Sequence, residues 1–429
     1  MSHHDVVVVG AGLAGLAAAL RLAEEGARVL VVAKGVGATH LSPALIDVLG
    51  YAPERVERPL EALPALVEQR PDHPYRLVGA DGVRAAVAWF RGRFADGPLA
   101  PYAYAGTPEE NMLLPTAVGV PRPTAVVPET MADGDVREGG AVCVVGFRAL
   151  KDFHPLLLAD NLRRLAGVAA RGIELDLVPE RRADVNALGF ARAFDDPAFR
   201  ANVVDRLASR LHGDERVALP AVLGIAAPHG AWSELRERLG RPVFEIPTLP
   251  PSVPGMRVFA TLRERLRRAG GRLVLNNVVT GADHAGGRLT GVRASVGLRD
   301  VVHGADWVVL ATGGFASGGV ELESDWTARE TALGLSVSGV PAAGAERFRP
   351  SYFGEHPMGR AGVAVDADQR PIAADGAPVF RNVVVAGATL AGAEPWREKS
   401  GEGISLATGH RAAELIIHAS RSAAATTGG

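Results

Sequence analysis

The apolar positions of residues 5–32 predict a strand, a helix and a second strand. Val6–Val9 is an uninterrupted β-branched run, as expected of a parallel strand that is buried on both faces. Leu13, Leu16 and Leu20 follow at helical spacing. Arg28–Val32 is then the second strand, so the chain is predicted to begin with a strand–helix–strand unit.

Further along the chain, apolar periodicity predicts more helices and strands. The predicted helices cover 60–68, 82–94, 152–170, 187–193, 198–211, 256–269 and 404–417. The predicted strands cover 141–147, 173–177, 307–311 and 382–387, and 272–279, 289–295 and 301–303 are predicted to form an antiparallel meander. Strands of the buried type that alternate with helices indicate an α/β fold.

Three glycines join the first strand to the first helix at the spacing of a dinucleotide-binding turn. Gly10 permits the turn, Gly12 leaves room for a pyrophosphate, and Gly15 lets the helix lie close to the strand. Leu13 and Ala14 complete this phosphate loop, where free N–H groups and the helix dipole favour an anion. The sequence therefore predicts a nucleotide site, and a tight turn without a ligand is the alternative.

The end of the second strand departs from the pattern of NAD-binding proteins. A carboxylate usually receives the ribose hydroxyls there, but this chain has Ala33-Lys34. The departure weakens an NAD interpretation and leaves the ribose contact unexplained, or else indicates a shorter nucleotide. Both residues are kept as candidate cofactor contacts.

Three later segments favour a discontinuous flavin domain over an NAD domain. The strand 307–311 ends in the sequence ATGG, and the strand 382–387 ends in a glycine. The helix after GEG at 401–403 would direct its positive N-terminus at the pyrimidine edge of a flavin, where negative charge develops on reduction. The candidate cofactor contacts in these segments and the meander are Val278, Ala311, Thr312, Gly313, Gly387, Gly403 and Ile404.

Composition excludes several function classes. The 429 residues are 47% hydrophobic and 22% charged, which is typical of a globular protein of roughly two domains. The 46 basic and 48 acidic residues give a net charge of −2, so neither nucleic-acid binding nor a polybasic membrane anchor is expected. No apolar run reaches the roughly 20 residues of a membrane span, no signal peptide is expected, and the expected location is cytoplasmic.

Cys143 is the single cysteine of the chain. One thiol cannot form an intramolecular disulfide or a four-thiolate iron–sulfur cluster. Its apolar surroundings, AVCVVG, predict a buried and inert side chain.

Together these patterns predict an α/β, two-dinucleotide-binding (Rossmann-like) flavoprotein fold with an inserted α/β domain. Residues 1–52 and 255–429 would form the discontinuous flavin-binding domain. Residues 53–254 would form an inserted cap, for substrate or for docking. This middle stretch begins with a segment rich in proline, arginine and glycine, and its strand–helix–strand unit lacks a glycine cradle.

The chain resembles the B subunits of the anaerobic glycerol-3-phosphate dehydrogenases, a family within the fumarate reductase and succinate dehydrogenase flavoproteins. The likeness runs the length of the chain. It is carried by GAGLAGL at 10–16, the loop with His40, HPY at 73–75, VNALGFARAFD at 185–195 and, most specifically, PTLPPSVPGMR at 247–257.

Two segments depart from the family pattern. The loop after His40 is less rich in serine and glycine, and EKSGEGISLATG at 398–409 is less rich in glycine. In some members of the wider family a histidine of this loop bonds covalently to the flavin. The spacing of His40 is about one residue short of that arrangement, so we expect a non-covalent contact or an ordinary loop histidine.

The resemblance implies oxidation of sn-glycerol 3-phosphate to dihydroxyacetone phosphate, with electrons passed to quinone. It implies a complex with an FAD catalytic subunit and an iron–sulfur, membrane-associated subunit, which would hold this chain at the inner face of the cell membrane. It implies non-covalent FMN, whereas the fold favours FAD. An independent flavin oxidoreductase of another small acid and a structural subunit that has lost its flavin are the alternatives.

The sequence does not single out a catalytic base. The candidate bases are His40, His73, His229 and His356, and the candidate partners of a substrate phosphate are Arg192, Arg257 and Arg349.

Overall fold

The computed structural model describes residues 3–427, apart from 96, 98, 99, 180–184, 298, 352 and 353. The strands are β1 (His3–Val9), β2 (Val29–Val32), β3 (Tyr104–Gly106), β4 (Met112–Pro115), β5 (Pro121–Thr124), β6 (Val126–Pro128), β7 (Ala141–Phe147), β8 (Ala169–Leu175), β9 (Arg216–Pro220), β10 (Val243–Ile246), β11 (Arg272–Val274), β12 (Val278–Ala285), β13 (Arg288–Val296), β14 (Arg299–Leu310), β15 (Val320–Leu322), β16 (Ala328–Glu330) and β17 (Val383–Val385). The helices are α1 (Leu13–Glu24), α2 (Pro59–Gln69), α3 (Tyr75–Gly92), α4 (Glu129–Ala132), α5 (Pro155–Ala166), α6 (Ala187–Phe194), α7 (Pro197–Ala208), α8 (Pro228–Leu239), α9 (Val253–Arg268), α10 (Pro395–Glu398) and α11 (Gly401–Thr427).

The largest sheet has seven strands in the order β11-β2-β1-β14-β13-β12, with β17 also paired to β14. The central strands are parallel, and Val9 lies opposite both Val32 and Leu310. Val385 lies opposite Leu310 in the same direction. The carboxyl ends of β1, β2, β14 and β17 therefore share one edge of the sheet, which is where α/β folds bind their ligands.

The meander differs from the prediction in two respects. β11 pairs in parallel with β2, so the predicted strand 272–279 is divided between the sheet edge and β12. β14 is one strand of 12 residues where two strands were predicted. Its first half pairs with β13, and its apolar second half enters the parallel centre beside β1 and β17.

Helix α5 is shorter than the predicted 152–170. Gly167 follows it in the left-handed conformation, with φ 66° and ψ 17°, which ends the helix at Ala166. β8 then begins at Ala169, and the predicted strand 173–177 began four residues later. The glycine was the stop signal that apolar periodicity alone did not take into account.

The two largest hydrophobic cores involve different parts of the chain. The first unites α1, α9 and α11 with buried residues of α2 and α3, including Phe90 and Phe94. The second surrounds the four-stranded sheet β10-β9-β7-β8 and takes its members from Val136–Val253. Since α2 and α3 belong to the first core, packing places the start of the second core well after the boundary predicted at residue 53.

The described residues contain neither a membrane-spanning helix nor a cluster of metal ligands. No helix among them is long and apolar enough to cross a membrane. Within the same ranges, no group of three or more His, Cys, Asp or Glu side chains is arranged to hold a metal ion.

Candidate functional site

The phosphate loop is fixed by close backbone packing on both sides of Gly12. Gly10 has φ +111°, and a Cβ there would overlap the carbonyl oxygen of Ala311. A Cβ at Gly15 would overlap the carbonyl oxygen of Gly10. At Gly12, by contrast, no described heavy atom other than those of Gly12 and its chain neighbours lies within 4 Å of the Cβ position. The loop is therefore rigid at its ends and open at the position where the family pattern expects a pyrophosphate.

The N-terminus of α1 is neither capped nor neutralised by a side chain of its own cap or first turn. Gly12 is the N-cap, no side chain caps it, and the first turn, which contains Leu13 and Ala14, has no acidic residue. The free N–H groups and the positive end of the dipole are thus available to an anion. The segment at 34–38 folds over this end, because a Cβ at Gly37 would reach 2.8 Å from the nitrogen of Gly12.

Ala33, at the end of β2, is bonded to the segment that precedes Val278. The N–H of Ala33 donates to Val274 O (3.0 Å), and the N–H of Asn277 donates to Ala33 O (3.1 Å). Ala33 is buried, whereas Lys34 and Val278 are exposed. Ala33 thus lies beside the phosphate loop, because the N–H of Gly10 donates to the carbonyl of the preceding Val32, whereas the cofactor contacts of Lys34 and Val278 stay predictions.

Of the later predicted glycines, Gly387 approaches this loop, and Gly313 is bonded to Thr389, two residues after Gly387. The N–H of Gly313 donates to Thr389 Oγ1 (2.8 Å). The N–H of Gly387 donates to Thr408 Oγ1 (2.9 Å), and a Cβ at Gly387 would lie 2.8 Å from the Cβ of Ala14. The ends of β14 and β17 therefore converge on the first turn of α1.

Glu330 and Thr389 are two polar residues at this junction that the sequence did not single out. Thr312 Oγ1 donates to Glu330 Oε1 (3.1 Å), and Thr389 receives the bond from Gly313. Burial raises the pKa of the Glu330 carboxyl, although backbone N–H groups of Ala332 and Leu333 bond to it. Glu330 and Thr389 belong to no recognisable motif, so the sequence offered no pattern by which to find them.

Gly403 and Ile404 face the protein interior. The N–H of Gly403 donates to Asp47 O (3.0 Å), and the N–H of Ile404 donates to Ser400 O (2.9 Å). A Cβ at Gly403 would come within 2.6 Å of Asp47 O, so the first turn of α11 packs directly on that segment. Neither N–H is therefore available to a cofactor, in contrast to the role predicted for them.

The PTLPPSVPGMR segment holds the loop that contains His40. The N–H of Ser252 donates to His40 O (2.8 Å), and Ser252 Oγ caps α9 by accepting from the N–H of Gly255 (3.2 Å). The imidazole of His40 packs edge-on against Phe259, with ring centroids 4.9 Å apart. Burial and the nearby Arg263 lower its pKa, which favours the neutral ring.

Arg257 belongs to a buried ion pair and not to a substrate site. Its side chain and that of Glu245 are both 0% exposed, and Nη1 lies 2.8 Å from Glu245 Oε2. The guanidinium also donates to Gly224 O from Nε (3.0 Å) and Nη2 (2.6 Å). Thr130 Oγ1 donates to the same carboxylate (2.7 Å). The pair links α9 to the second core.

His73 is likewise structural. Its Nδ1 accepts the N–H of Tyr75 (3.1 Å), and its Nε2 lies 3.1 Å from Glu398 Oε2. Tyr75 donates its hydroxyl to Val48 O (2.5 Å). The HPY motif therefore joins the start of α3 to the segments that precede α11, which explains its place in the family pattern without a catalytic role.

The remaining candidates lie near the surface. His229 Nδ1 is 2.6 Å from Glu129 Oε1. His356 Nδ1 accepts the backbone N–H of Arg349 (3.1 Å). Arg192 is exposed on α6. The described contacts do not bring these residues to the phosphate loop.

A polar cluster connects the loop after His40 to the β4–β5 hairpin. Arg122 Nη2 contacts Asp47 Oδ2, and Ser42 Oγ donates to Glu402 Oε1 (2.9 Å). The Asp47 side chain is 0% exposed. Burial and the charge of Asp47 raise the pKa of Glu402, while Arg122 opposes that rise. The sequence singled out none of these side chains.

Two solved structures are similar to this chain at low identity. A 3-ketosteroid delta1-dehydrogenase from Sterolibacterium denitrificans is 14% identical with a TM-score of 0.47, over 98% of this chain and 100% of that one. The open conformation of a flavocytochrome c3 fumarate reductase is 11% identical with a TM-score of 0.42, over 97% and 78%.

Curated relatives are similar over almost their full lengths. The probable B subunit of anaerobic glycerol-3-phosphate dehydrogenase from Halobacterium salinarum is 34% identical over 97% of this chain and 98% of its own. The B subunit of anaerobic glycerol-3-phosphate dehydrogenase from Pectobacterium carotovorum subsp. carotovorum is 32% identical over 96% and 98%. The protein of the same name from Yersinia pestis is 33% identical over 96% and 98%.

The family model described as "FAD binding domain" matches residues 5–404. FAD fits the residues that the structure brings together, because Gly12 is open, the N-terminus of α1 is uncapped, and Gly387 lies against its first turn. FAD, the flavin that the fold favours, is therefore the cofactor, and the FMN alternative is set aside. The chain belongs to the FAD binding domain family and, within it, to the family of anaerobic glycerol-3-phosphate dehydrogenase B subunits.

Proposed function

We propose that this chain is the FAD-containing B subunit of an anaerobic glycerol-3-phosphate dehydrogenase, which oxidises sn-glycerol 3-phosphate to dihydroxyacetone phosphate. The observation that carries the proposal is the combination of an FAD-family match over residues 5–404 with relatives of that name over 96–97% of the chain. The open phosphate loop at Gly12 supports it independently.

In this proposal the residues of the chain hold and orient the cofactor. The N–H groups of Gly12, Leu13 and Ala14 bind the pyrophosphate, and Ala33 with Val278 forms the adenosine end. FAD, when bound, supplies the two-electron acceptor for oxidation of the secondary alcohol. A base must take the proton of the substrate hydroxyl while the alcohol is oxidised.

Partner subunits carry the electrons onward in this proposal. Cys143 is the single cysteine, and burial raises its pKa to about 11, so it is a protonated, buried thiol rather than a cluster ligand. We infer that an iron–sulfur subunit passes electrons to quinone and that a second, FAD-containing catalytic subunit completes the complex. The chain would be cytoplasmic and held at the inner face of the cell membrane by the iron–sulfur subunit.

The test has two parts. First, the purified chain is denatured with acid and the released flavin is separated by chromatography, and we expect FAD. A protein that contains no flavin and takes up none would instead favour the structural subunit without cofactor.

Second, turnover of glycerol 3-phosphate with a quinone analogue is measured for the chain alone and after addition of the partner subunits. We expect turnover in the assembled complex only, and its loss when the chain carries Gly12→Asp. Full turnover by the isolated chain would contradict the proposed complex and favour an independent oxidoreductase.

A further inference from the structure

A cavity of about 190 Å³ lies beside the polar cluster, between the loop after His40, the β4–β5 hairpin and the PTLPPSVPGMR segment. It is smaller than the roughly 300 Å³ at which pockets for drug-sized ligands begin, so it suits a small metabolite. The residues that matter to its chemistry are Pro43, Leu45, Leu114, Thr116, Arg122 and Thr248.

The wall of the cavity has one charge. Among the described residues that line it, Arg122 is the only charged one, and Thr116 and Thr248 supply hydroxyl groups. The remaining lining residues are prolines, leucines and an alanine. A guanidinium and two hydroxyls in an otherwise apolar wall favour a small anion with a short carbon chain.

Two polar atoms of residues that line the cavity lack partners within the described part of the chain. Arg122 Nε and Thr248 Oγ1 are buried and have no hydrogen-bond partner there. Buried N–H and O–H groups are almost always bonded in native proteins. Both atoms belong to residues that line one cavity, and a small rotation of either side chain would turn its unpaired group towards an acceptor in that cavity.

Asp47 holds the guanidinium of Arg122 in place. Arg122 Nη2 contacts the fully buried carboxylate of Asp47, while the Arg122 side chain itself is 24% exposed. Arg122 lies opposite Leu114 in the β4–β5 hairpin, which fixes the strand that carries it. Because a guanidinium has five N–H donors, the contact with Asp47 leaves donors for a second anion.

We propose that this cavity binds the phosphate end of a three-carbon phosphomonoester, with Arg122 as the cationic anchor and Thr248 as a hydroxyl donor. The inference rests on the proposed function for the identity of the ester, and the anion site itself rests on the cavity and its unpaired donors. Asp47 acts as a positioning residue, since it orients the guanidinium.

The test measures binding of glycerol 3-phosphate, inorganic phosphate and glycerol to the purified FAD-loaded chain by calorimetry. We expect both phosphates to bind and to compete, and glycerol not to compete. Arg122→Met should weaken binding of glycerol 3-phosphate at least tenfold, because it removes charged hydrogen bonds. Thr248→Val should weaken it severalfold while it leaves the ion pair with Asp47 intact.

Arg137→Met is the matched control. Arg137 also pairs with a buried aspartate, since its Nη2 lies 2.7 Å from Asp135 Oδ2 and Asp135 is 4% exposed. Among the described residues it does not line the cavity. We expect the affinity of the Arg137→Met variant for glycerol 3-phosphate to stay within twofold of that of the original chain. If Arg122→Met does not fold, Thr248→Val still decides the question.

The outcomes separate this site from the proposed function. If glycerol 3-phosphate binds the original chain and both Arg122→Met and Thr248→Val, where folded, bind it equally well, the site is overturned and the function stands. If inorganic phosphate binds in a manner that depends on Arg122 but glycerol 3-phosphate does not bind, the anion site stands and the proposed substrate fails. If neither phosphate binds the original chain, the site is overturned.

Discussion

Replacing Gly12 by Asp should separate cofactor binding from folding. The Cβ position at Gly12 is open, so the first atom of a side chain fits there without overlapping a described atom beyond the neighbouring residues. Gly12 is also the N-cap of α1, a position at which Asp is among the most favourable residues. The free energy of unfolding of the apoprotein should therefore stay unchanged or rise by up to about 1 kcal/mol.

The same substitution should abolish FAD retention. The aspartate would occupy the space of the pyrophosphate and repel it. At a separation of about 5 Å and an effective dielectric constant of about 20, each pair of unit charges costs roughly 3 kcal/mol, or about a hundredfold in affinity. Gly12→Asn is the matched control, because it adds similar bulk and a similar cap without the charge. We expect a loss of about tenfold for Asn, or roughly 1.4 kcal/mol, and a further hundredfold for Asp.

Gly15→Ala, unlike Gly12→Asp, should destabilise the apoprotein. Its Cβ would overlap the carbonyl oxygen of Gly10, and no side-chain rotation relieves a backbone contact. Overpacking of this kind costs up to about 3 kcal/mol, and the better helix propensity of alanine returns about 1 kcal/mol. We expect the apoprotein to lose about 2 kcal/mol.

The assays are FAD titration of each apoprotein by flavin fluorescence and urea unfolding followed by circular dichroism. The reasoning would be refuted if a folded Gly12→Asp variant kept FAD with unchanged affinity. It would also be refuted if Gly12→Asp destabilised the apoprotein as much as Gly15→Ala does.

Three further predictions concern buried groups. Glu245→Gln should lower the free energy of unfolding by about 3–5 kcal/mol, because Arg257 is left without its counter-charge. A double Glu245→Leu, Arg257→Met variant should lose less stability, and an equal or larger loss for the double variant in urea unfolding would contradict this prediction. Cys143, with its pKa raised by burial to about 11, should react with a disulfide reagent only after unfolding, and rapid labelling of the native protein would contradict that. Burial alone would raise the pKa of Glu398, but its bond with His73 and nearby positive charge lower that pKa to about 2. The stabilisation from Glu398 is therefore complete above about pH 4.5 and is lost as the pH falls towards 2. Glu398→Gln should make the free energy of unfolding less dependent on pH over that range, and an unchanged pH profile would count against this prediction.

The fold was largely predictable because its parallel centre has a strong local pattern. Val6–Val9 and the three glycines specify a strand, a turn and a helix without help from distant residues, and the structure has them as predicted. The α/β flavoprotein fold and the family were both confirmed. Boundaries failed where pairing partners decide them, as in β14, which is continuous only because β13 and β1 pair with its two halves.

The candidate site was predictable only in part, for a physical reason. A phosphate loop uses backbone N–H groups, so its pattern is one of glycine spacing and survives in the sequence. The cavity uses side chains from distant segments. Arg122 and Asp47 are 75 positions apart, and nothing in either local sequence indicates the other. Arg257 was a candidate partner of a substrate phosphate, but its partner is Glu245 in the second core, which no local pattern indicates.

The most specific family segment, PTLPPSVPGMR, is explained by what it connects. Ser252 holds the backbone of the loop that contains His40, and Arg257 ties the next helix to the second core through Glu245. Thr248, at its other end, lines the cavity. This one segment therefore positions the loop that contains His40, next to the phosphate loop. It also forms part of the wall of the proposed anion site and contributes the ion pair that links the two cores. A change that breaks the Arg257 pair should for this reason weaken glycerol 3-phosphate binding as well as stability, although Arg257 itself is too deeply buried to touch the substrate.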